Sequence, residues 1–129
     1  MSKIELIRYM PASGLISYIS KIAPRSNVVI SEPENYSFWQ KVILENSFDI
    51  NICSSVLMVN NDSKKEIVII DNITDFKNTQ RGNYERIILC VFEYNFSIEE
   101  FEIFNIESVS LLGSFDLSRK LHVVSDKTY

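Results

Sequence analysis

Two stretches, Ile67-Val68-Ile69-Ile70 and Ile87-Ile88-Leu89-Cys90-Val91-Phe92, carry an apolar side chain at every successive position. In an extended strand neighbouring side chains point to opposite faces, so a run of this kind is apolar on both. Strands with that pattern belong inside a sheet covered on two sides. A half-solvated antiparallel sheet would alternate more cleanly, so some other part of the chain must cover the second face. Helices from the first half are the candidates. The region from Asp49 to Tyr94, which also holds the apolar run Ile50 to Val59, is therefore the expected sheet core.

Val56-Leu57-Met58-Val59 and Ile67 to Ile70 flank Asn60-Asn61-Asp62-Ser63, a cluster of turn formers between two β-rich runs. Asn and Asp tolerate left-handed backbone angles and bond their own main chain, so the cluster reads as the turn of a β-hairpin. The fold class expected is α+β: a single mixed or mainly antiparallel sheet of five to six strands, with two helices from the N-terminal half packed on one face.

Along the chain, Ser2-Lys3-Ile4-Glu5 has the form of a capping box, whereas Ile4, Leu6 and Tyr9 also suit a short first strand; Pro11 ends either. Leu15, Ile16, Tyr18, Ile19 and Ile22 fall on one helical stripe, predicting a helix that stops before Pro24. Asn27 to Ile30 is a short strand candidate. A second helix starting near Asn35 carries Phe38, Trp39, Val42 and Ile43, with Asn46-Ser47 as its stop. Asn72 to Glu85 is a long polar connection of the kind that often carries function. Ser97-Ile98-Glu99-Glu100 repeats the capping-box form and predicts a short helix through Phe104. Ser108 to Phe115 reads as a strand interrupted at Gly113, and Leu121 to Val124 as a last edge strand. No repeat, low-complexity tract or linker divides the chain, and 129 residues suit one domain.

An apolar share of 46% with only three Gly and three Pro excludes disordered and fibrous classes. No apolar run approaches the roughly 20 residues needed to span a bilayer. The start Met1-Ser2-Lys3-Ile4-Glu5 lacks the basic end and apolar centre of a signal peptide, so a cytoplasmic location is expected. Cys53 and Cys90, both inside apolar runs, read as buried free thiols rather than a disulfide framework.

Known site chemistries find little to rest on. His122 is the single histidine, and Cys53, Cys90 and His122 have no metal-ligand spacing. A Cys-His nucleophile needs an exposed, activated thiolate, which Cys90 between Leu89 and Val91 is poorly placed to supply. Gly14, Gly82 and Gly113 are isolated, so no phosphate-binding loop is formed. Acids such as Asp71, Asp75, Glu99 and Glu100 read as surface charge unless the fold pairs them. Lys64-Lys65, Arg81, Arg86 and Arg119-Lys120 are too scattered for a nucleic-acid stripe. No catalytic residue, cofactor or metal is assigned.

The net charge of −4 is unevenly spread. Between Ile87 and Ser118 there is no Lys or Arg, while Glu93, Glu99, Glu100, Glu102, Glu107 and Asp116 all fall there. A one-sign segment opposes phosphate backbones and attracts a basic partner at long range. The reading that follows is a protein that binds a protein partner, with Glu93, Tyr94, Phe96, Glu99, Glu100, Glu102, Phe104, Glu107 and Asp116 as the partner-binding candidates. Aromatic side chains would anchor the interface and acids would set its charge. By size and charge rather than by any motif, the chain resembles the small acidic immunity proteins of bacterial toxin systems, which implies a basic toxin domain as the partner. The alternatives are a small hydrolase or transferase with a dispersed site that includes His122, and an oligomer subunit assembled through an edge strand.

Overall fold

The computed structural model describes residues 3–59, 66–79, 84–95 and 106–113. Six strands form one sheet: β1 Lys3–Tyr9, β2 Asn27–Val29, β3 Asn51–Cys53, β4 Glu66–Ile70, β5 Arg86–Phe92 and β6 Ser108–Leu112. Their order is β3-β2-β4-β5-β1-β6, and every neighbouring pair runs parallel. Three α-helices accompany them, α1 Leu15–Ile22, α2 Pro33–Asn46 and α3 Ile73–Asn78.

The parallel sheet overturns the expected mixed or mainly antiparallel α+β arrangement. Unbroken apolar strands report burial on both faces but say nothing of strand direction, which the connections decide. α1 joins β1 to β2, α2 joins β2 to β3, and α3 joins β4 to β5, each returning the chain to the starting edge. The hairpin around Asn60 to Ser63 is likewise corrected. Val56–Met58 is a single 3₁₀ turn with Leu57 90% exposed, and β4 pairs with β2 and β5 instead. At the N-terminus the strand reading, not the capping box, is the one realised.

Local chemistry explains the helices. α1 begins after Gly14, whose left-handed φ of 72° suits glycine, and ends at Ala23 before Pro24. Its stripe buries Leu15, Ile16 and Ile19 completely, each contributing roughly 1.5–3 kcal/mol. α2 starts two residues before the position expected from sequence, with Pro33 at its first turn and the Glu32 carboxylate accepting the Asn35 amide at 2.7 Å. It ends at Ser47 in the left-handed region. α3 lies inside the stretch read from sequence as a polar connection. Asn72 caps it by accepting the Asp75 amide at 2.9 Å, and Phe76 is its fully buried anchor.

The sheet separates two apolar clusters. On one face α1 and α2 pack together, their Leu15, Ile19 and Trp39 meeting Val68, Ile88 and Cys90. On the other, Phe76 of α3 meets Ile67, Ile87, Leu89 and Val91. Adjacent strand residues such as Ile87 and Ile88 thus serve opposite cores, which is why the pattern is unbroken. At the amino edge Arg86 ties three elements together. Its guanidinium forks onto Glu5 of β1, donates to Glu66 of β4 at 2.9 Å, and reaches the Ile22 carbonyl that ends α1 at 2.8 Å.

Candidate functional site

In an open parallel sheet, the crevice outside the carboxyl ends is where neighbouring strands send the chain to opposite faces, and ligands favour it. β2 and β4 form such a point, because β2 leads into α2 on one face and β4 into α3 on the other. Here the chain's own side chains bridge the point. The Asn72 amide donates to the Ser31 hydroxyl at 2.6 Å while its oxygen caps α3. One strand over, Asp71 links three carboxyl ends: its carboxylate accepts the Phe92 main-chain amide at 2.7 Å and the Tyr9 hydroxyl. Asp71 itself takes a left-handed φ of 53°, turning the chain out of β4 as soon as the strand ends. Asp71 keeps a solvent-facing side, yet its carboxyl lies above the ordinary range. Burial is the largest cause, opposed by the Tyr9 hydroxyl and the Phe92 amide, which favour the charged form.

Beside this network, Arg8 and Glu93 form a two-pronged pair, with Nε donating at 2.8 Å and Nη2 to the second oxygen. The Glu93 hydrogen bond is the chief reason the Arg8 pKa is raised. Glu93 opens the 3₁₀ turn Glu93–Asn95, which puts Tyr94 at the surface, 69% exposed. The Tyr94 ring stands edge-on to Phe92, centroids 5.3 Å apart, and Phe92 in turn leans on the buried Tyr9 ring at 5.4 Å. An exposed ring is thus built on a column that reaches into the core.

The partner-binding candidates fare unequally. Glu93 and Tyr94 stand together at the carboxyl end of β5, with Glu93 committed to Arg8. Glu107 is exposed but precedes β6, and its amide donates to the Ile4 carbonyl at 2.8 Å, so it lies at the amino edge, the opposite end of the sheet. Phe96, Glu99, Glu100, Glu102, Phe104 and Asp116 lie outside the described residues, as do His122, the helix expected through Phe104 and the strand expected at Leu121 to Val124.

Cys53 and Cys90 are free thiols on opposite faces, Cys90 within the α1/α2 core and Cys53 against the α3 core. Burial raises the pKa of both, that of Cys90 strongly, with the charge of Asp71 adding to it. Each is held as the neutral thiol, the opposite of nucleophile activation. Among the described residues, no three His, Cys, Asp or Glu side chains gather in a way that would hold a metal ion. Asp75, read from sequence as surface charge unless the fold pairs it with another acid, accepts the Val56 amide. No helix among the described residues is long and apolar enough to cross a membrane.

No protein-family model matches this chain. No curated protein matches it either. Its site is therefore read from geometry alone. Sequence reasoning missed the Tyr9, Asp71, Phe92 link and the Asn72–Ser31 bridge. The available signal was an acid and an amide directly after an unbroken apolar strand, which mark the carboxyl edge only once the sheet is known to be parallel.

Proposed function

We propose that this chain is a protein-binding module for a basic partner and, in its most specific form, an immunity protein that neutralises a basic toxin by occupying its surface. One observation carries this reading: the exposed Tyr94 ring, fixed by Phe92 and Tyr9, projects from a segment whose charges are all acidic. An aromatic side chain already held in place loses little rotamer freedom on binding, and such anchors dominate interface energy. The acids that follow Tyr94 in sequence would speed the approach of a basic protein and reject acidic ones. The carboxyl-edge crevice, bridged by Asn72 and Asp71, favours a surface role over a small-molecule site at that place.

The test is affinity capture of the tagged protein from its producing cells, washed at low and high salt, with wild type and Tyr94→Ala compared. A stoichiometric basic protein that salt releases, and that Tyr94→Ala retains about tenfold less well, is the expected result. Co-expression should then protect cells from that protein's toxicity. Retention of the same partner by both forms would remove Tyr94 from the interface, and the absence of any basic partner would overturn the function.

A further inference from the structure

β6 closes the sheet on the side of β1 and has no second strand neighbour among the described residues. Its main-chain groups are used unevenly. The Met10 amide donates to the Leu112 carbonyl at 2.9 Å, so at Leu112 they face β1. Alternation along a strand then turns the amide and carbonyl groups of Val109 and Leu111 outward. The same two residues expose their side chains, Val109 by 57% and Leu111 by 58%, whereas the other face of the strand carries the exposed Ser108 and Ser110 and then Leu112, which packs against the α1 and α2 core. A strand edge with apolar side chains and unpaired main-chain groups is a template for another strand. Soluble proteins commonly blunt such edges with lysine, and there is no Lys or Arg between Ile87 and Ser118.

We propose that β6 is a docking edge for an extended basic segment of a partner protein, which adds to the sheet as a seventh strand. Charge decides the occupant. Glu107 stands exposed directly before β6, and the sequence from it to Asp116 carries no Lys or Arg, so a second copy of this chain would bring acid to acid, whereas a basic strand is attracted. The side-chain pattern fixes the rest: alternate residues of the incoming strand are apolar, to cover Val109 and Leu111, and those between them are Lys or Arg. This inference rests on the partner-binding reading above and supplies the mode of recognition.

The experiment uses the full chain, isotope-labelled, with a capped synthetic peptide of alternating Lys and Val. Two controls accompany it: the Glu-and-Val counterpart, and the Lys-and-Val peptide N-methylated at alternate residues to remove one row of donors. Hydrogen exchange at the Val109 and Leu111 amides should slow by at least about tenfold with the basic peptide, and return to the free rate with either control or in high salt. Equal protection by the acidic peptide overturns the proposal. So does protection of these two amides already in the free, dilute protein, which would mean that the chain covers its own edge. Protection that grows with protein concentration alone identifies a second copy as the occupant and overturns the basic strand. If a basic partner captured as described above binds while Val109 and Leu111 exchange unchanged, docking on β6 falls and the binding function stands. If neither partner nor peptide binds, both fall.

Discussion

Asp71 shows how much one side chain carries in this sheet. It turns the chain at a left-handed φ, and its carboxylate joins the ends of β4, β5 and β1 through the Phe92 amide and the Tyr9 hydroxyl. Asn tolerates the same backbone angle and keeps one acceptor, so Asp71→Asn should cost under about 1 kcal/mol in urea unfolding, against about 2–3 kcal/mol for Asp71→Ala. The raised native pKa also gives a sign. Between the unfolded carboxyl value of about 3.9 and the higher native value, the folded state binds more proton than the unfolded one, so this group's share of stability falls as pH rises. The difference in stability between wild type and Asp71→Asn, measured from acid to neutral pH, should carry that slope; a difference that rises with pH would contradict it. Arg86 is the counterpart at the amino edge. It serves Glu5, Glu66 and the Ile22 carbonyl at the end of α1 at once, and its side chain is 26% exposed. Arg86→Ala should cost about 2 kcal/mol, part of it from carboxylates left without a partner, and Arg86→Lys should recover only part because an ammonium has no planar fork.

At the scale of elements, amphipathic helices were the most readable parts of the chain. The stripe of α1 and the Trp39 face of α2 are set by the spacing of apolar residues and by local stops, Pro24 and Asn46-Ser47, which act within a turn or two. Trp39 is fully buried, so Trp39→Ala should lower stability by about 3–5 kcal/mol, whereas Leu44→Ala on the same helix, at a side chain 73% exposed, should change it by less than about 0.5 kcal/mol. Comparable losses for the two would mean that α2 packs by another face. The Val56 to Ile70 stretch was misread because turn formers between β-rich runs look alike in a hairpin and in a crossover. Here the chain leaves β3 through a 3₁₀ turn, and β4 lies beyond β2 in the sheet order. α3 was hidden by length, since six residues with one fully buried anchor, Phe76, leave little periodicity to detect.

For the whole molecule, the two cores share the same strands: Ile87 serves one and Ile88 the other. They should therefore fail together. Trp39→Ala on one face and Phe76→Ala on the other are expected to move a single unfolding transition, with tyrosine fluorescence and far-ultraviolet circular dichroism coinciding; separate transitions would show two independent units. Charge also acts at this scale. Replacing Glu99, Glu100 and Glu102 by Lys should slow association with a basic partner and flatten its salt dependence while leaving unfolding unchanged. Unaltered association kinetics in that variant would remove these acids from the approach.

By itself the sequence determined the buried, two-faced character of the strands, the α1 and α2 helices and the strand near Ser108. Each depends on residues adjacent in the chain or one turn apart. Only the tertiary structure decided strand direction and order. These depend on which distant segments pair, as β1 does with β5 and β6, and backbone pairing is nearly indifferent to side-chain identity. For the same reason the joined carboxyl ends of β1, β4 and β5 and the place of β6 at the rim of the described sheet could not be read in advance. Tyr9, Asp71 and Phe92 are far apart in sequence, and an exposed Val109 looks like a core residue until its strand is found at the rim.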